Sequence, residues 1–261
     1  AVRAGQGLNP AMLLADPFTL FVCALAVVLV GMAKGGFAGL GVLATPLVAL
    51  ALPPSEAAAI ILPILIAQDV ISVWSFRHSW DRWIVAWMLP GAVVGIGIGW
   101  AFAAWVDENV LMAALGLITL GFGLYRLWLE RGHRVVAAST SPGWVGLLFG
   151  AATGLTSQIA HAGGPPFQIW VAPRKLPHVT YVGTNSILFA AINWLKLPSY
   201  IALGVMTHQV LVAALMLLPL AAASTLVSIR LSRRLKPDRF YHITYWLMVF
   251  LGAKLVWSGL F

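Results

Sequence analysis

Gly35-Gly36-Phe37-Ala38-Gly39-Leu40-Gly41, followed by Pro46, interrupts an apolar run in the first half of this chain. In the second half, His161-Ala162-Gly163-Gly164-Pro165-Pro166 interrupts another. Each break leads to a Leu-Pro pair, Leu52-Pro53 and Leu176-Pro177, and then to a segment carrying polar residues. The first such segment holds Gln68 and Asp69, the second Asn185 and Asn193. Counted from their Leu-Pro pairs, Asp69 and Asn193 hold equivalent places, 124 positions apart. Paired apolar segments broken by glycine and proline point to the substrate site of a secondary transporter built from repeats.

The composition agrees with a membrane protein. The chain has 261 residues, is 61% hydrophobic and 9% charged, and has a mean hydropathy of +0.91. A water-soluble domain of this length cannot hide so much apolar surface. The net charge of +8 lies in short connections between apolar runs, so it reads as a topology signal and a set of lipid-phosphate contacts, with no nucleic-acid role. The single Cys23 rules out a disulfide framework within the chain. Ala1 to Pro10 is weakly polar and lacks a basic flank, so no cleavable leader is expected.

Ten apolar segments are expected. The first five are Pro17–Met32, Phe37–Leu52, Ala57–Trp74, Trp83–Trp105 and Asn109–Trp128. The second five are Trp144–Ala160, Pro165–Ala172, Val179–Leu195, Val210–Leu231 and Tyr241–Leu260. Most approach the ~20 residues a spanning helix needs. Segments two and seven are shorter, and each reads either as a half-helix or as a re-entrant hairpin with its predecessor. Trp74, Trp80, Trp83, Trp105, Trp128 and Trp144 fall at segment ends, as interfacial aromatics do.

Numbering the connections alternately puts 13 of the 16 basic residues on one side. Only Arg3, Lys196 and Lys254 fall on the other. The positive-inside rule then places both termini outside and the connection near residues 130–142 in the cytoplasm. Five segments per half is an odd number, so the second half enters inverted. The acidic Asp107-Glu108 connection accordingly corresponds to the basic run from Arg230 to Arg239. The expected fold is an all-α polytopic membrane protein, one transmembrane domain over 1–261, with a first repeat at 17–128 and an inverted second at 144–261.

Asp69 is the only acid deep inside an expected span, which makes it a candidate proton carrier; the alternative is a structural aspartate at a helix break. Gln68, Asn185 and Asn193, with Ser72 and Ser186, supply neutral hydrogen-bonding groups, and Asn185 and Asn193 share a helical face. They suit a weakly hydrated anion, or else interhelical packing. Around the breaks, Gly35, Gly36, Gly39, Gly41, Gly163 and Gly164 let backbone N–H groups approach a ligand. Thr45, Pro46, Ser157, Gln158, His161 and Pro165 complete the candidate substrate site. His161 titrates near neutral pH in an ordinary environment, or serves as a packing residue. Lys34, the cation nearest a glycine break, either attracts an anion or marks a helix end and reaches to headgroups; Arg126, Lys196 and Lys254 read as helix-end cations of the latter kind. No metal constellation, Walker loop or H-E-x-x-H is present, so no metal, cofactor or catalytic residue is expected.

With these residues in view, the chain resembles the TauE/SafE family, the sulfite exporter or TSUP group of bacterial permeases. The resemblance runs from about Pro17 to Phe261. It is carried by Gly31-Met32-Ala33-Lys34-Gly35-Gly36 through Pro46, by Gly150 through Pro166, and by Val182-Gly183-Thr184-Asn185. Two features depart from the family pattern: Gly39-Leu40-Gly41 stands in place of a glycine run, and His161 is present. The resemblance implies an inner-membrane transporter of sulfite, an organosulfonate, or a related sulfur-containing or carboxylate anion. Expected partners are that anion, protons and membrane lipids, with a homodimer left open. An anion channel, an intramembrane enzyme and a membrane anchor for a partner subunit are the rival classes. The enzyme lacks a visible nucleophile–base pair.

Overall fold

The computed structural model describes residues 16–37, 39–131, 141–232 and 238–261. Arg3, the expected leaderless start, most of the 130–142 connection and the Arg233–Lys236 cluster lie outside them. The described residues are mostly helical and contain no strand. The first half contains α1 (Pro17–Lys34), a 3-10 turn (Leu40–Leu43), α2 (Ala44–Val48), α3 (Pro54–Phe76), α4 (Arg82–Trp105) and α5 (Glu108–Arg131). The second half contains α6 (Gly143–Ala160), α7 (Gly164–Val171), a 3-10 turn (Ala172–Arg174), α8 (His178–Ala202), α9 (His208–Ser232) and α10 (Asp238–Leu260). Each half is therefore a long helix, a break, a short helix and three further long helices.

Local chemistry sets these boundaries. Asp16 caps α1 by accepting from the Phe18 and Thr19 amides at 3.2 Å, with Pro17 at the first helical position. Asp81 caps α4 through the Ile84 amide at 3.0 Å. Six helices, α1, α3, α4, α5, α9 and α10, are long and apolar enough to cross a membrane. Their outward faces are apolar, with Val94 and Ile98 on α4, Leu215 and Val227 on α9, and Phe250 and Trp257 on α10 all exposed. A surface of this kind is stable against lipid tails and not against water. This is an all-α, multi-pass membrane protein. Trp74, Trp83, Trp105, Trp128 and Trp144 are exposed, as expected of interfacial aromatics.

Small residues let the helices approach closely. A Cβ on Gly91 would lie 2.0 Å from the Leu147 carbonyl, and one on Gly154 2.1 Å from the Ala92 carbonyl. The same contacts give directions. Gly91, Gly95 and Gly99 meet Leu147, Ala151 and Gln158 in that order, so α4 and α6 are parallel. Gly31 and Gly35 meet Ser224 and Ser228, so α1 and α9 are parallel. Asp69 meets Asn193 while Phe76 and Ser79 meet Gly183, so α3 and α8 are antiparallel. Gly116 meets Gly252 and Gly123 meets Tyr245, so α5 and α10 are antiparallel. The packing is reciprocal. The third long helix of each half, α4 or α9, lies on the first and second long helices of the other half.

The two ends of the bundle differ in charge. At one end the Asp81 amide bonds Thr184 Oγ1, Trp83 stacks on Trp170, and Arg174 donates to the Ser141 carbonyl at 2.9 Å. Arg77, Arg82, Arg174 and Lys175 gather there. At the opposite end the Ser55 amide bonds Glu108, and a shallow cavity is lined by Asp107, Glu108 and Leu203.

Segments two and seven do not cross the bundle. α2 has five residues and α7 eight, about 7.5 and 12 Å of helix against a ~30 Å hydrocarbon core. α1 runs toward the basic end, and α3 starts again from the acidic end. The 37–52 stretch therefore returns the chain beside α1, and α7 returns it beside α6 in the opposite sense. Each short segment forms a re-entrant hairpin with its predecessor, which keeps the basic residues on one side.

Candidate functional site

The two breaks are built differently. α1 ends at Lys34, and the chain turns through Gly36 at φ +114° and Gly39 at φ +94°, values that only glycine adopts readily. α6 ends on His161, which itself takes the left-handed conformation at φ 52°, its amide bonded to the Ser157 carbonyl at 3.1 Å. Both breaks open onto one central cavity. Its wall includes Lys34, Gly36, Gly39, Gly41, His161, Gly164, Gln168 and Asn185, with Val30, Val42, Leu65 and Phe189 as apolar sides. Gln168 carries its amide between Gly39 and Gly164, so the two short segments touch across the cavity.

Beneath the cavity runs a buried ionic link. Lys34, only 5% exposed, pairs with Asp69 Oδ1, and Asn193 donates to Asp69 Oδ2 at 2.6 Å. Both carboxylate oxygens are therefore occupied. Next to Asp69, Gln68 donates to the Val27 and Ala221 carbonyls at 3.3 Å, tying α3 to α1 and α9.

On the other side lies a second buried cation. Lys196 is fully enclosed, and its ammonium reaches the Ser157 carbonyl at 3.1 Å, Ser157 Oγ at 3.1 Å and His161 Nδ1 at 2.7 Å. A lysine donor on Nδ1 leaves the imidazole proton on Nε2, which donates to the Ala58 carbonyl at 2.8 Å. Tyr200 stacks on the imidazole and donates to the Gln158 carbonyl at 2.9 Å. Ala58, Gln158 and Tyr200 also line the cavity at the acidic end. The His161 layer thus separates the two cavities.

The expected site residues divide into three groups: cavity wall, the polar links behind it, and residues packed outside both. Gly36, Gly39, Gly41, His161, Gly164 and Asn185 line the central cavity. Asp69, Gln68, Asn193 and Ser157 stand behind it in the buried polar links. Gly35 packs on Ser228, Gly163 on Phe189 and Thr153, and Gln158 donates to Ser199. Thr45, Pro46 and Pro165 are buried outside the cavity wall.

Two expectations need correction. Lys34 and Lys196 do not reach to headgroups; both are buried polar centres. Lys196 reads as a helix end because Leu197-Pro198 follows it. α8 instead continues through Pro198 to Ala202, and Ser199 Oγ donates to the Lys196 carbonyl at 2.6 Å. Lys254 is exposed as expected, while Arg126 is half-buried and bonds the Tyr245 hydroxyl. Gln168 and Tyr200 carry no sequence signal beyond being polar groups in apolar surroundings.

The arrangement offers a small, mainly apolar chamber with one cation, one imidazole and two amides in its wall. No acid lines it among the described residues. Among these residues no cluster suits a metal ion. Comparison with curated proteins and with solved structures found no match. The family model described as "Sulfite exporter TauE/SafE" matches residues 23–255, which include both breaks, both buried lysines and most of every long helix. The chain belongs to the TauE/SafE sulfite exporter family.

Proposed function

We propose that the protein is a secondary transporter that moves a small sulfur-containing anion, sulfite or an organosulfonate, across the bacterial inner membrane. The central cavity carries this reading. It joins both chain breaks, has the Lys34 ammonium and the Gln168 and Asn185 amides in its wall, and has no acid among its described lining residues. The two halves act as inverted repeats, 17–128 and 144–261. The antiparallel pairs α3/α8 and α5/α10 and the reciprocal packing of α4 and α9 support that reading. Alternating access comes from one half rocking on the other, with the His161 layer closed when the cavity faces the basic end.

The basic end faces the cytoplasm, and the termini are periplasmic. Where no proton accompanies the anion, export is the favoured direction, because an interior-negative potential favours anion efflux by about 2.3 kcal/mol per charge per 100 mV. The test is counterflow in proteoliposomes loaded with sulfite, ethanesulfonate or acetate. Saturable counterflow of sulfite or ethanesulfonate is expected, and its loss in Lys34→Met. Non-saturating flux without counterflow would identify a channel, and preference for acetate a carboxylate carrier.

A further inference from the structure

Lys196 is a fully enclosed lysine without a carboxylate partner among the described residues. Its three acceptors match the three N–H groups of an ammonium, yet all are neutral. The charges around it do not cancel. On α3, Asp69 is near enough to act on Lys196, but it is bonded to Lys34 of α1 and to Asn193. α3 also carries Glu56 in its first turn. α6 ends in His161, Tyr200 lies one turn further along α8, and α4 bears no titratable group beyond Arg82. Lys196 itself contacts only neutral acceptors, so its ammonium has no counter-charge bonded to it, and such a buried charge costs several kcal/mol unless it is neutralised or balanced.

The missing balance is available in one place. His161 touches Lys196 through Nδ1 and lines the central cavity, so an anion there lies beyond the imidazole from the ammonium. We propose that Lys196, with His161 as its relay, is a proton-binding site that fills when an anion occupies the cavity and empties when the anion leaves. This rests on the anion-transport reading above.

Filling breaks the Nδ1–H bond of His161 and forms the third Nζ–H bond of Lys196, while Nε2 takes a proton from water; the imidazole ends neutral with its proton on Nε2, and the bound anion balances the new charge. In emptying, a Nζ–H bond breaks and Nδ1–H forms, while Nε2–H breaks and gives its proton to water. The imidazole ends neutral as the opposite tautomer. The ion pair of Lys34 and Asp69 keeps its charge throughout. Transport thereby couples an anion to a proton through a lysine, with Asp69 as the competing carrier.

The test measures proton uptake when ethanesulfonate binds the purified full chain, by calorimetry near neutral pH in buffers of differing ionisation heat. A sulfonate stays ionised, so any proton taken up belongs to the protein. Wild type should take up about one proton per anion. Lys196→Arg, which cannot discharge, and Lys196→Met should bind with uptake near zero. Anion binding by wild type without proton uptake would overturn the inference and leave the transport reading standing. Uptake retained in a folded Lys196→Met but lost in Asp69→Asn would move the carrier to Asp69. Binding of neither ethanesulfonate nor sulfite overturns the transport reading and this inference together.

Discussion

Asn193 donates to Asp69 Oδ2 at 2.6 Å across 124 residues, and each stands equally far from the first residue of its own helix. Equivalent positions of the two halves thus meet at the centre of the bundle and differ by one charge. That charge is matched by Lys34 at the end of α1.

Removing the carboxylate strands Lys34 in an apolar interior. Asp69→Asn should cost about 3–5 kcal/mol, because it leaves an uncompensated buried cation. Asn193→Ala removes a single bond to a charged acceptor and should cost about 1.5–3 kcal/mol. Lys34→Met combined with Asp69→Leu should recover most of the stability without recovering transport. Thermal melts of the three variants and the wild type in detergent check the order. An Asp69→Asn protein as stable as wild type would mean that Lys34 is balanced elsewhere.

The glycines at the breaks should separate by backbone geometry. Gly164 has no strained φ, and a Cβ there would meet Gln168 Nε2 at 3.6 Å and Val42 at 4.0 Å, ordinary contacts. Gly164→Ala should fold as wild type while narrowing the cavity and lowering the transport rate. Gly36 sits at φ +114°, and its Cβ would lie 3.1 Å from Val182. Gly36→Ala should cost on the order of 1–3 kcal/mol. Equal melting temperatures for the two variants would contradict this assignment of roles.

The orientation follows from the charged ends. In a Cys23→Ser background, His78→Cys at the basic end should react only with reagents on the cytoplasmic side. Gln209→Cys, exposed at the start of α9, should react only from outside. Labelling of intact cells with an impermeant maleimide distinguishes the two, and reaction at residue 78 from outside would reverse the topology.

Much of this architecture is legible in the sequence. Hydropathy locates the long helices, because each must bury or expose an apolar face over about 30 Å. The paired glycine breaks locate the cavity, since Gly36, Gly39, Gly41 and Gly164 all reach its wall. The buried cations are not legible. A lysine beside a glycine or a proline looks like a helix end, and for Lys34 it is one. The sequence does not say that this end lies inside the bundle, because that depends on the re-entrant path of residues 37–52. Lys196 is hidden for a different reason. Proline usually stops a helix, but within a packed membrane bundle neighbouring groups take up the freed backbone bonds and α8 runs on. Thr45 and Pro46 are placed differently from the break glycines. They follow a break in sequence, yet α2 turns them into the core.

The separation of the two cavities leads to the last prediction. Asn185 lines the central cavity beside Tyr181 and Val182, near the start of α8 and hence the basic end. Ala103 lines the other cavity, with Asp107 and Glu108 at the acidic end. Between them stand His161 bonded to Ala58, Tyr200 stacked on His161, and Gln158. In the observed state Asn185→Cys should therefore react from the cytoplasmic side, and an impermeant reagent outside should reach Ala103→Cys but not Asn185→Cys. If the halves rock, an inward-directed substrate gradient should shift the population toward the other state. Labelling of Asn185→Cys from the cytoplasm should then slow several-fold, and labelling from outside should appear. A residue-185 cysteine reactive from both sides at once, in wild-type background and at all substrate concentrations, would identify a continuous pore and rule out alternating access.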